Sequence, residues 1–243
     1  MLFALVATGC DNSNVTGRPL PTDGPVTLND AIRAGDAEGV KLKLAGSAEP
    51  LDLKGKDGPI ILAQAIEADQ AAVVKLLIKE GASPEGKDEK GRPLLFKAAM
   101  TSGAMVRVLL ESGVPMDTRD NIGQTALHIA VGASRTDAID ALLAAGLDVN
   151  SPDRSGLTAL HSGINAEVAA LDTLLKHGAS VNTTDVRGST PLHKAAAAGN
   201  AKAIAWLLEH GAKVNTRNTN GHTPLYLARS EVSELLKKHG AKE

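Results

Sequence analysis

A chain of 243 residues with a formal charge of −2 carries no case for nucleic acid, because neutralising phosphates takes a strongly basic face. One Trp, one Tyr and two Phe leave a core to be built from Leu, Ile, Val and Ala, without platforms for stacking bases. The single cysteine, Cys10, excludes an intramolecular disulfide and a cysteine-rich metal site, and no apolar run approaches the length of a membrane-spanning helix.

The chain begins MLFALVATGCDNSNVTGRPLPTDGPV. Met1 to Ala7 reads as the apolar region of a secretory signal. Ala7, Thr8 and Gly9 then lead into Cys10, which resembles the lipobox of bacterial lipoproteins, where the signal is cut before a cysteine that carries lipid. On that resemblance, residues 1–9 are a signal peptide, Cys10 is the lipidation site and residues 10–26 are its tether. Asn, Asp, Thr, Gly and Pro dominate that tether and offer almost nothing to bury, as a spacer requires. Asp11 resembles the signal that keeps enterobacterial lipoproteins in the inner membrane. The alternative is a cytosolic protein with an incidental thiol.

From residue 27 onward the sequence repeats. Turn glycines recur at Gly58, Gly91, Gly123, Gly156, Gly188 and Gly221, with gaps of 32 or 33 residues. Leucine pairs recur in phase at Leu76–Leu77, Leu109–Leu110, Leu142–Leu143, Leu174–Leu175, Leu207–Leu208 and Leu235–Leu236. A third series, Gly81, Gly113, Gly146, Gly178, Gly211 and Gly240, closes each second helix. The segments TALHIA from Thr125, TALHSG from Thr158, TPLHKA from Thr190 and TPLYLA from Thr223 complete the pattern. This resembles the ankyrin repeat, with its period of about 33 residues and its T-P-L-H-x-A motif. GPIILAQA from Gly58 and RPLLFKAA from Arg92 are more worn copies, and the unit from Thr27 keeps only a helical pattern.

The expected fold is therefore an all-α ankyrin solenoid of about six repeats, with an N-terminal helical cap and short β-turn fingers. Its units run over about 27–55, 56–87, 88–119, 120–152, 153–184, 185–217 and 218–243. In the T-P-L-H copies Thr caps the first helix, and Pro fits the first turn, where a missing N–H costs nothing. The leucines of the second helix face inward, so Leu142 and Leu175 are expected core positions. No unit buries its apolar face alone, so stability comes from stacking.

No catalytic constellation, cofactor site or metal site emerges, and the chain reads as a non-enzyme. His128, His161 and His193 share the T-P-L-H position, where the resemblance implies a hydrogen bond tying adjacent turns. His177, His210 and His239 precede closing glycines at helix C-termini, where positive charge is favoured. Only His222 lacks a repeat-level role. Asn150, Asn182 and Asn215 lie in the V-N turn, where Asn is expected to satisfy local backbone groups.

Ankyrin arrays bind through turn tips and the inner face of the first helix, so the resemblance implies a contact surface there. The tip candidates are Lys87, Lys90, Arg92, Arg119, Ile122, Gln124, Arg154, Leu157, Val186, Arg187, Arg217 and His222. Arg or Lys recurs at every finger, which predicts an acidic partner surface and salt-sensitive association. The inner floor is small (Gly132, Ala133, Ala166, Ala197, Ala198), with Met100 and Glu67 marking a more varied N-terminal part. The expected function is a periplasm-facing, lipid-anchored module that is monomeric when unbound and binds one protein. Short ankyrin lipoproteins of this kind resemble immunity proteins against type VI secreted toxins such as lipases. They also resemble periplasmic ankyrin proteins that support catalase and oxidative-stress defence. A cytosolic ankyrin scaffold or regulator is the rival from another class.

Overall fold

The computed structural model describes residues 27–46 and 51–242; Cys10, the signal segment and the tether lie outside the described residues. Two helices joined by a short turn make each unit, and seven such pairs follow one another. They are α1 (Leu28–Ala34) with α2 (Ala37–Ala45), α3 (Asp57–Glu67) with α4 (Ala71–Lys79), and α5 (Leu94–Thr101) with α6 (Gly103–Glu111). Next come α7 (Ala126–Gly132) with α8 (Thr136–Ala144), and α9 (Ala159–Ser162), prolonged by a 3-10 turn at Gly163–Asn165, with α10 (Val168–Lys176). The last are α11 (Pro191–Ala198) with α12 (Ala201–Glu209) and α13 (Pro224–Leu227) with α14 (Ser230–Lys238). Among the described residues the only β pairing is two isolated bridges, Lys87 with Pro93 and Arg119 with Thr125, each at the base of a finger.

First helices stack on first helices (α3, α5, α7, α9) and second helices on second helices (α6, α8, α10, α12), with one continuous apolar core between the two layers. Its spine is Leu77, Leu109, Leu142, Leu174, Leu207 and Leu236, each four residues before a closing glycine and each at most 1% exposed. This sharpens the leucine pairs. At the two ends it is the second leucine that is buried, because Leu76 and Leu235 sit one position early and are only half-buried. Leu175 is likewise half-buried, and Leu174 holds the core position expected of it.

Gly58 is a second correction. It lies in the first turn of α3 and is buried, whereas Gly91, Gly123, Gly156, Gly188 and Gly221 all have positive φ. A Cβ at Gly58 would sit 1.9 Å from the Leu53 carbonyl oxygen, so close backbone approach, rather than a left-handed turn, requires glycine there.

Two units are shortened. Thr158 to Leu174 spans 16 residues where Thr125 to Leu142 spans 17, and the missing residue turns the end of α9 into a 3-10 turn. Thr223 to Leu236 spans only 13, which leaves α13 a single turn. Arg229 then closes the array: its N–H donates to the Ala196 carbonyl and its Nε to that of Ala197, satisfying the C-terminal end of α11.

Candidate interaction surface

Each finger is five residues folded around an acidic or amide side chain: Asp88–Arg92, Asp120–Gln124, Asp153–Leu157, Asp185–Ser189 and Asn218–His222. The first residue's Oδ1 accepts the N–H groups two and four positions on, at 2.7–3.0 Å in all five. Its own N–H donates to the carbonyl four positions on, which closes the loop. Aspartate and asparagine suit this because their short side chains reach their own downstream backbone.

Three kinds of bond then join one finger to the next. At the tips, the N–H of Arg154 donates to Ile122, that of Val186 to Ser155 and that of Thr219 to Arg187. One step in, His128 Nε2 meets the Leu157 carbonyl at 2.9 Å, His161 that of Ser189 at 3.1 Å and His193 that of His222 at 3.1 Å. The Nδ1 atoms of the same rings lie 3.0–3.2 Å from the N–H of Thr125, Thr158 and Thr190, which can only donate. Nδ1 is therefore the bare acceptor and Nε2 carries the hydrogen, a neutral tautomer fixed at both ends. All three pKa values are held below the ordinary 6.5, first by burial, against the raising effect of the backbone carbonyl. The inter-turn bond expected of these histidines is present in each case.

The third bond corrects the sequence reading of the V-N turn. Asn150, Asn182 and Asn215 reach across to the next unit, with Nδ2 donating to the carbonyls of Gly178, Gly211 and Gly240. Their Oδ1 atoms accept from the N–H of Ser180, Lys213 and Lys242. Amide side chains suit this bridge because they donate and accept at once.

The joint between the units 88–119 and 120–152 has none of the three. Leu95 stands at the histidine position and Asp117 at the asparagine position. Among the described residues no backbone bond joins the tip of Asp88–Arg92 to that of Asp120–Gln124. A Cβ at Gly123, Gly156 or Gly188 would lie 2.7–3.2 Å from a backbone nitrogen of the next finger, yet one at Gly91 would meet nothing within 4 Å. The inner turns remain tied there, with Arg135 Nε donating to the Met100 carbonyl at 2.9 Å, so the gap belongs to the finger edge.

The basic tip residues divide by occupation. Arg92 forks onto Asp88 at 2.8 and 2.9 Å. Arg119 donates to the carbonyls of Gly123 and Pro152 and to the Ser151 hydroxyl, Arg154 to the Asn121 carbonyl and Arg217 to that of Gly221. Lys87, Lys90 and Arg187 are exposed. Ile122 and Val186 point into solvent, 52% and 69% exposed, while Gln124 and Leu157 are half-buried. His222 stacks on Tyr226 with ring centroids 4.0 Å apart and a 14° tilt between the planes, which ties the last finger to α13. On the inner floor Gly132 and Ala197 are exposed, with Ala133, Ala166 and Ala198 half-buried; Glu67 pairs with Lys97 at 2.9 Å.

The C-terminal histidines do two different things. His210 and His239 return Nδ1 to the carbonyls of Trp206 and Leu235, four residues back, and His177 meets Asp140 at 3.0 Å. Two features escaped the sequence reading: the inter-unit reach of the asparagines, and a cleft over Phe96, Met100 and Ile129 beside the open joint. The signal for the cleft was present as Leu95 and Asp117, which replace the histidine and the asparagine at this joint.

A family profile described as ankyrin repeats matches in three copies, over residues 28–120, 98–185 and 170–242. Among solved structures, the ankyrin repeat domain of Bcl-3, described as a unique member of the IkappaB protein family, is 30% identical. That alignment covers 88% of this chain and 99% of the other, with a TM-score of 0.69. The human ASB11 ankyrin repeat domain is 27% identical over 89% of this chain and 98% of its own, with a TM-score of 0.72. Comparison with curated protein sequences found no match. The chain belongs to the ankyrin-repeat family, whose fold generally serves as a protein–protein interaction module rather than as an enzyme.

Proposed function

We propose that this protein is a non-catalytic binding module of a bacterial cell envelope, anchored through lipid on Cys10, that holds one partner protein against its finger edge. The observation that carries the binding surface is the exposure of Ile122 and Val186, large apolar side chains at loop tips. Met100, on α5, adds 43% exposure in the cleft beside the Asp120–Gln124 finger. Apolar groups held out on a rigid, cross-bonded edge lose little entropy on binding and gain by being covered. Support for the envelope comes from the sequence ALVATGC and the polar segment after it.

A pre-formed edge of this kind suits stoichiometric occlusion, as an immunity protein against a secreted toxin such as a lipase requires. The test uses Ile122→Glu with Val186→Glu, both exposed enough to leave the fold unchanged by circular dichroism. Loss of the native partner in affinity purification supports the reading; undiminished recovery contradicts it. Radioactive palmitate should label the wild type and not Cys10→Ala. No label on the wild type, or label that survives Cys10→Ala, rejects the lipid anchor and favours the rival reading as a cytosolic scaffold.

A further inference from the structure

The open joint forms a cleft of about 550 Å³ between the fingers Asp88–Arg92 and Asp120–Gln124. Its floor is apolar: Phe96 is buried beneath it, Met100 is 43% exposed and Ile129 half-buried. Four cations line it, Lys87, Lys90, Arg92 and Arg119, against the single carboxylate of Asp120. That carboxylate is turned onto its own finger, accepting from the Ile122 and Gln124 N–H groups at 3.0 and 2.8 Å. Arg92 is neutralised by Asp88, but the ammonium groups of Lys87 and Lys90 are exposed. In a chain of net charge −2 this is a local positive field over an uncovered apolar floor.

We propose that this cleft anchors the partner by taking an extended, acidic protein segment whose one bulky apolar side chain covers Met100 and Ile129. Carboxylates on either side of that residue meet Lys87 and Lys90. At the three later joints the tip backbone groups bond to the next finger; at this joint they are left open, and the main chain of an inserted segment completes them. Burial of the apolar side chain supplies the attraction, and the lysines set the charge and direction of the segment. The inference rests on the binding-module reading and narrows it to one place and one ligand chemistry.

Peptides of random sequence displayed on phage are selected against the full chain, and enriched sequences are synthesised and titrated by fluorescence anisotropy. The expected consensus is one Leu, Ile, Met or Phe flanked by two or more Asp or Glu. Binding should weaken at least about tenfold on Lys90→Glu and on Met100→Glu, and stay unchanged on Arg187→Glu. No enrichment, an uncharged or basic consensus, or binding indifferent to both Lys90→Glu and Met100→Glu overturns the proposal. Binding lost on Arg187→Glu alone also overturns the cleft, but leaves the finger edge as the partner's surface.

Discussion

His128 Nε2 lies 2.9 Å from the carbonyl oxygen of Leu157, 29 residues away in the next unit. The same ring accepts the Thr125 N–H at Nδ1, so one side chain caps a helix and ties two units. His161 and His193 repeat the arrangement, which makes a ladder confined to the C-terminal joints. Replacing His128 by Ala leaves the Thr125 N–H and the Leu157 carbonyl without these partners and opens a cavity. Urea unfolding should show a loss of about 2–4 kcal/mol.

The ladder also sets a pH response. Burial holds the three imidazoles below their ordinary 6.5, so in acid the unfolded chain takes up protons that the folded one refuses. Their contribution is complete above pH 6.5 and is lost as pH falls below it, since stability rises with pH wherever the unfolded state binds more protons. Protonation also turns an N–H at Nδ1 against the threonine N–H. Thermal unfolding should show Tm falling between pH 7 and pH 5, with a shallower slope in a His128→Gln, His161→Gln, His193→Gln triple variant. Equal slopes would remove the histidines as its cause.

Core truncation separates the two members of a leucine pair. Leu142→Ala and Leu174→Ala, at fully buried positions, should each cost about 2–5 kcal/mol. Half-buried Leu175→Ala should cost about 1 kcal/mol, which chemical denaturation of the three variants would distinguish.

Glycine substitutions read the joints directly. Gly91→Ala and Gly156→Ala both place a Cβ at positive φ, a strain of about 1 kcal/mol. At Gly156 the new carbon also sits 2.7 Å from the Val186 nitrogen, while at Gly91 it meets open space. Gly156→Ala should be the more destabilising by at least about 1 kcal/mol in the same denaturation assay.

Amide hydrogen exchange in the free chain should follow the tip bonds. The N–H groups of Arg154, Val186 and Thr219, bonded across fingers, should exchange slowly, and that of Asn121 should exchange fast. Residue-specific NMR exchange rates decide it.

The array was legible in the sequence because its causes are local and periodic. Glycines needed for positive φ and leucines one turn before them recur in fixed phase, and the threonine–histidine spacing marks the starts of α7, α9 and α11. What escaped depends on which unit lies alongside. Asn150 looked like a local turn residue because its partners, Gly178 and Ser180, are 28 and 30 residues away. Gly58 looked like a turn glycine by spacing, although the Leu53 carbonyl packs where its side chain would be. The arginines of the fingers looked uniformly available, yet Arg119, Arg154 and Arg217 donate to finger carbonyls. The open joint was written at Leu95 and Asp117, but a substitution in a motif does not by itself say what space it leaves.

The most direct test is the hydrogen-exchange footprint of the full chain bound to the partner recovered with it from native cells. The finger-edge account predicts added protection in the fingers, greatest over residues 87–100 and 119–124, with the outer helices α6, α8 and α10 unchanged. Protection centred on those outer helices, with the fingers exchanging as in the free chain, would contradict it.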